Sequence, residues 1–326
     1  MKDLPALIRE RLTQNLWGVL GNQGYILGID LGSYGLRAAL VDLQHHTYQN
    51  AALESIDHID HEDPETTVRR VIDLARDLMA QEGVTVERLV RVGVGFSGPV
   101  DLRHGTVRLA PRRPGWENYP LQERFEQAFD AVTLIDNDAN LIALGEATFG
   151  VGKGCQHLFY FHLSSGVGGG AVLNGRLYHG AHSMAGEIGH AVVAHGWDGD
   201  GRPETLEELV SIGGLIRRAA AAGLAADRLE DIFSDHPIAR KVVQHTVDLM
   251  ATRIAQVIAL LDPEMVVLGG IVVRIGGDRF VEAIASRVSD FIAPQFARPV
   301  PVIASILGPD SVAIGAVAMA LDSLSD

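Results

Sequence analysis

One local pattern occurs twice in this chain and restricts the folds open to it: an apolar run, a turn of small residues, and a second apolar run. It reads YILGIDLGSYGLRAALVDL over 25–43 and LFYFHLSSGVGGGAVLNGRL over 158–177. The β-branched content and the turn residues make each copy strand, turn, strand, and two copies indicate an approximate internal duplication. The 36 glycines exceed the usual ~7% of residues and gather near such turns. Successive backbone N–H groups in a turn without bulky side chains form a cradle for phosphate. The two candidate cradles are Asp30-Leu31-Gly32-Ser33-Tyr34-Gly35 and Ser164–Gly170. A dinucleotide fingerprint needs a helix directly after its glycines, whereas the second turn runs into AVLNGRL, a hairpin strand. The segment GVGKGC at 150–155 lacks the Ser or Thr that a Walker lysine requires.

Around these hairpins the patterns alternate. Leu4, Ile8, Leu12, Leu16 and Leu20 form an apolar helical stripe. A third strand is expected over 48–59, a helix over 64–82, a strand over 89–96, a short helix over 121–129 and a strand over 132–135. Helical composition follows at 139–149, 204–222, 239–261, 278–291 and 311–323, with strands at 265–268 and 300–304. Mixed sheets with helices on their faces, an α/β fold, follow from that alternation. With 326 residues, 47% of them apolar, there is material for one large or two ordinary domains, and disorder is excluded as the main state. The net charge of -14 opposes binding to phosphodiester backbones, so nucleic acid is not an expected partner. A single cysteine, Cys155, rules out an intrachain disulfide and a Cys-cluster zinc site. No window of 18 apolar residues occurs, so the expected location is the cytoplasm, with no membrane partner.

Asp136-Asn137-Asp138 stands where an apolar strand ends and a helix begins. Such residues cap helices well; a carboxylate at a strand's carboxyl end can equally accept a proton from an attacking hydroxyl. Downstream, Gly186-Glu187-Ile188-Gly189-His190 presents an acid and an imidazole between glycines, and Glu207 and Glu208 open a helix. Such groups suit a polyhydroxylated ligand, because a carboxylate accepts two sugar hydroxyls and His donates or accepts. His190 with His195, Asp198 and Asp200 fits no standard metal spacing. Arg112-Arg113 and Arg217-Arg218 read as solvated faces, with Arg113 also a candidate fence for a sugar pocket.

Together these residues resemble the ROK family of bacterial sugar kinases and sugar-responsive repressors. The match runs from Tyr25 to Leu321. The family's D-I/L-G-G-T turn corresponds to Asp30–Tyr34, its G-x-P-G-P-V-D to Gly95–Asp101, its N-D-A-N to Asn137–Asn140 and its G-T-G-x-G-G-G to Ser164–Gly170. A-G-E-x-G-H stands intact at Ala185–His190, and D-P-E with L-G-G at Asp262–Gly270. The resemblance implies an actin-like, hexokinase-like ATPase fold of two lobes. The smaller would hold 25–134 with 309–326 and the larger 135–308, after an N-terminal helix in 1–24. It implies Asp138 as general base, with Asn137, Asp138, Glu187, His190 and Glu207 binding sugar. It assigns Asp30, Gly32, Ser33, Tyr34, Ser165, Gly166, Gly168, Gly269 and Gly270 to the nucleotide, with ATP and Mg²⁺ as cofactors, and expects a homodimer.

Three departures bear on function. Ser33 and Tyr34 stand where the family turn has glycine and threonine, which puts a bulky ring at the phosphate turn. The segment from His190 to Glu208 contains none of the family's zinc cysteines, so no zinc is expected. Only 24 residues precede the first strand, enough for one helix and too few for the repressors' DNA reader. Two readings therefore stand: an ATP-dependent hexose kinase, glucokinase-like or acting on an N-acetylhexosamine, and a sugar-binding protein without catalysis.

Overall fold

The computed structural model describes residues 4–12, 23–32, 35–54, 63–110, 113–195, 203–294, 296 and 298–324. Helix α1 (Leu4–Leu12) precedes strands β1 (Tyr25–Gly32), β2 (Gly35–Asp42) and β3 (Thr47–Glu54). Then come α2 (Pro64–Gln81), β4 (Leu89–Phe96), β5 (Val100–Asp101), β6 (Thr106–Val107), α3 (Leu121–Phe129), β7 (Thr133–Asn137) and α4 (Asp138–Thr148). The duplicate begins with β8 (Leu158–Leu163), β9 (Val167–Leu173) and β10 (Arg176–Leu177), then β11 (Val192–His195) and β12 (Pro203–Thr205). Helices α5 (Leu206–Val210), α6 (Ile212–Ala221), α7 (Leu229–Ile232) and α8 (Pro237–Leu261) follow. The chain ends with β13 (Met265–Gly269), α9 (Ile271–Val288), β14 (Val302–Ala304) and α10 (Ser311–Asp322).

Two compact units result. The first holds 1–154, 180–184 and 306–326; the second holds 155–179 and 185–305. In the first, the sheet order is β3-β2-β1-β4-β7, with β1, β2 and β3 antiparallel and β1, β4 and β7 parallel. One face packs Leu27, Ile29, Leu31, Val92, Val94 and Phe96 against apolar residues of α2 and α3. The other face receives α10, and glycines make that approach possible. A Cβ on Gly28 would stand 2.2 Å from the Ala313 carbonyl oxygen, and one on Gly93 2.2 Å from that of Ala316. The second unit repeats the plan as β10-β9-β8-β13-β14, an antiparallel hairpin beside parallel strands. Its core joins Phe159, Phe161, Leu163, Val266 and Leu268 to α5, α6, α8 and α9.

The first compact unit extends through Gly154 and so includes α4. That helix lies backbone to backbone on α10: a Cβ on Gly315 would be 2.0 Å from the Leu141 carbonyl oxygen. Several sequence expectations are revised. The helix expected over 204–222 is a strand followed by two helices, because Ser211 breaks the run and its Oγ caps α6 by accepting from Gly214 N at 3.2 Å. The helix expected from Asp278 begins at Ile271, with a break at Gly277 (φ 65°). Of the N-terminal stripe, Ile8 and Leu12 are buried, while Leu16 and Leu20 lie outside the described residues. The third strand is described to Glu54; 55–59 lie outside.

Candidate active site

In the first unit, strand register sets the polar groups. β1, β4 and β7 run parallel, so their carboxyl ends lie side by side, the usual place for ligands in such sheets. Register pairs Asp30 with Gly95 and Phe96 with Asn137. One step further, Ser97 Oγ donates to Asp138 Oδ2 at 2.5 Å. Asp138 Oδ1 accepts its neighbour Ala139 N at 2.7 Å, and the residue opens the first turn of α4. Asn137 is the N-cap of α4: its Oδ1 accepts from Ala139 N at 2.9 Å and Asn140 N at 3.4 Å. Buried Asp136 braces this corner, accepting from Asn140 Nδ2 at 2.9 Å and Asn137 N at 2.7 Å. Of the three, only Asp138 combines a charge with partial exposure.

Asp30 is a different carboxylate. Burial pushes its pKa up to about 8, Arg37 opposes the rise and the Asp138 charge adds to it. Its Oδ1 is buried and has no hydrogen-bond partner among the described residues. A buried carboxyl oxygen without a hydrogen-bond donor is the chemistry of a hard-cation ligand. Gly32 keeps the space beside it open, since a Cβ there would be 3.1 Å from that oxygen. Ser33 and Tyr34, candidates for the phosphate cradle, lie outside the described residues.

In the second unit the turn between β8 and β9 is Ser164-Ser165-Gly166, closed by Ser164 N donating to Gly166 O at 2.8 Å. Gly168, expected in the turn, lies in β9 opposite His162. Both ends of the turn are tied down: Ile212 N donates to Ser164 O at 2.9 Å, and Val167 N donates to Glu207 Oε2 at 2.9 Å. The segment 185–190 lies directly on β9. A Cβ on Gly186 (φ +91°) would be 2.2 Å from Gly169 O, and one on Gly189 1.9 Å from Val167 O. These glycines bring Glu187 and His190, 3.7 Å apart, to the end of β9 that Glu207 also touches. At the end of β13, Gly270 (φ +93°) precedes α9, and a Cβ there would meet Leu163 O at 2.2 Å. The Gly269–Gly270 bend and the 164–166 turn therefore adjoin within this unit. The candidate residues divide between the units, with Asp30, Gly32, Asn137 and Asp138 in the first and Ser165, Gly166, Gly168, Glu187, His190, Glu207, Gly269 and Gly270 in the second.

Two arginines expected on solvated faces are buried. Arg113 donates through Nη1 to Leu31 O at 3.0 Å and stacks on Phe96 and Trp116. Arg218 donates to Leu209 O at 2.9 Å, to Thr246 Oγ1 at 3.0 Å and to His245 Nδ1 at 2.7 Å. Helix periodicity places Arg218 beside Leu215 and Ala219, both buried, so its face is readable from sequence; the partners from α5 and α8 are not. The stretch between His190 and Glu207 is held by pairing of β11 with β12, by the Thr205–Glu208 capping box, and by buried Glu204 beside Arg217 at 3.5 Å. Asp198 and Asp200 lie outside the described residues, as does the side chain of His195. Among the described residues no three His, Cys, Asp or Glu side chains gather as a metal site.

The ROK family pattern matches residues 26–323. A glucokinase of Thermotoga maritima is 28% identical over 89% of this chain and 95% of its own. A xylose repressor of Caldicellulosiruptor bescii is 28% identical over 92% of this chain and 79% of its own. Among solved structures, a ROK hexokinase from Thermus thermophilus superposes with a TM-score of 0.78 at 26% identity, covering 92% of this chain and 98% of that one.

Proposed function

The chain belongs to the ROK family and has the actin-like ATPase fold of ROK hexokinases, and from that premise we propose that it is an ATP-dependent hexose kinase with Asp138 as general base. Its substrate on this reading is a glucose-like hexose or an N-acetylhexosamine. The observation that carries the proposal is the Asp138 carboxylate, partly exposed at the carboxyl ends of parallel strands and oriented by Ser97. In the reaction, a sugar hydroxyl attacks the γ-phosphoryl group: the new O–P bond forms, the bond to the β-phosphate oxygen breaks, and the hydroxyl proton passes to Asp138. Asn137, Glu187, His190 and Glu207 are the proposed sugar ligands. Ser165, Gly166, Gly269 and Gly270, with the turn after Asp30, are the proposed nucleotide contacts. The unpartnered Asp30 oxygen fits Mg²⁺, which neutralises phosphate charge when bound with ATP. The same reading expects a cytoplasmic homodimer acting on small molecules rather than on nucleic acid.

A second reading, a sugar-binding protein without phosphoryl transfer, is favoured by Ser33 and Tyr34 in the phosphate turn and by the likeness to a xylose repressor. ADP release with Mg-ATP over a panel of hexoses and amino sugars, beside calorimetric sugar binding, separates the two. Turnover that Asp138→Asn lowers by about 10²–10⁴-fold while sugar binding persists is the expected result. Sugar binding without turnover in the unaltered protein rejects the kinase.

A further inference from the structure

The least expected polar contact in the first unit is the one Asp138 receives from the end of β4. Helix α4 does not need it: Asn137 already caps the helix and Asp138 Oδ1 already accepts Ala139 N. The Ser97 hydroxyl, which has one proton to give, directs it to Oδ2 at 2.5 Å. An O–H to carboxylate bond of that length is charge-assisted and directional. Such a bond restricts the orientation of the carboxylate.

The position of Ser97 is itself strongly constrained. Gly98 N donates to Phe96 O at 3.0 Å, which leaves Ser97 at the apex of a three-residue turn. Gly98 has φ +143°, and a Cβ there would stand 3.1 Å from Leu109 O and 3.3 Å from Phe96 Cε1. The turn therefore lies directly against the Phe96 ring, with room there for glycine alone. Phe96 is fully buried, and the guanidinium carbon of Arg113 lies 5.0 Å from its ring centre and 4.5 Å from that of Trp116. The same guanidinium donates to Leu31 O, one residue beyond Asp30. One buried cation thus grips the end of β1 and the aromatic residue that sets the Ser97 turn.

We infer that Ser97 and Arg113 are positioning residues acting as one relay, in which Arg113 fixes Phe96 and the Phe96–Gly98 turn directs the Ser97 hydroxyl onto Asp138. The inference rests on the reading of Asp138 as the base and adds two residues that act through it. A planar guanidinium between aromatic rings is not replaced by a lysine ammonium. Arg113→Lys therefore preserves the charge while loosening the slot.

The test is a double-mutant cycle of Ser97→Ala and Arg113→Lys, with Ser97→Thr as the conservative rescue and Asp138→Asn in parallel. Each variant is followed by kcat, by KM for ATP and for sugar, and by thermal midpoint. Ser97→Ala should lower kcat about 10- to 100-fold, the range for a lost charge-assisted bond, with KM for ATP within about twofold. Ser97→Thr should recover most of the loss. Arg113→Lys should lower kcat in the same sense, and the double variant should fall within about twofold of Ser97→Ala, because residues acting as one unit are non-additive. An unchanged kcat in Ser97→Ala overturns the relay, as does Ser97→Thr performing no better than Ala, or losses that multiply. If Arg113→Lys fails to fold, the serine pair decides the matter. Full turnover in Asp138→Asn removes the base reading instead. If the unaltered protein shows no turnover, the kinase reading falls and the relay is judged by calorimetry on glucose and N-acetylhexosamines. Sugar affinity weakened by both Ser97→Ala and Arg113→Lys then sustains it, and affinity unchanged in either overturns it.

Discussion

Two aspartates in the same unit show how environment assigns chemistry to identical side chains. Asp30 is buried and its carboxyl is pushed up to about 8, whereas Asp138 meets two donors at a helix N-terminus. Desolvation disfavours the charged form of the buried Asp30, and a bound cation would offset that cost. A third titratable group, His245, lies outside the proposed site. Burial, aided by the Arg218 guanidinium, holds it down to about 4 from an ordinary 6.5, although Asp248 opposes the shift. The unfolded chain therefore takes up this proton at higher pH than the folded one. Stability that is present above about pH 6.5 is lost as pH falls toward 4. Thermal midpoints measured from neutral pH down to about 4 should fall less steeply in His245→Gln than in the unaltered protein. Parallel curves would show that this imidazole is not a source of the acid sensitivity.

At the scale of elements, α10 and α4 decide whether Asp138 stands in place. α10 lies against Gly28 and Gly93 of the sheet and α4 lies against Gly315 of α10, each contact too close for a Cβ. Gly315→Ala meets the Leu141 carbonyl oxygen at 2.0 Å. It should destabilise the protein by about 1–3 kcal/mol, the usual cost of overpacking. It should also reduce kcat, because the displaced helix carries the base. Gly213, in the first turn of α6, has a negative φ, and a Cβ there would meet nothing within 4 Å. Gly213→Ala should be neutral or stabilising by about 0.4–1 kcal/mol. Denaturant midpoints of the two variants, moving in opposite directions, check the assignment; a tolerated Gly315→Ala would show that α4 and α10 are not in close contact.

For the whole molecule, the duplicated plan gives each unit one hairpin turn beside the ends of parallel strands. Asn137 and Asp138 lie in the first unit, and Glu187, His190 and Glu207 in the second. A sugar bound beside the proposed base should slow amide hydrogen exchange in Asn137–Asn140. Unchanged exchange in that segment would remove Asn137 and Asp138 from the sugar site.

The hairpins, the parallel strands and the glycine-flanked Glu187 and His190 are legible in the sequence because alternation, turn residues and motif spacing are local properties of the chain. From them follow the fold class and the family. The extent of α5 and α6 is not legible, since a single Ser211 changes from helix interior to cap according to which amide reaches it. Nor is the Ser97–Asp138 bond, which joins residues 41 apart, or the Arg113–Leu31 bond, which spans 82. Such contacts depend on strand register and on the packing of distant elements, which no window of sequence contains. Burial likewise is decided by the tertiary structure: the same Arg113 that reads as a solvated charge becomes a stacked cation because Phe96 and Trp116 converge on it.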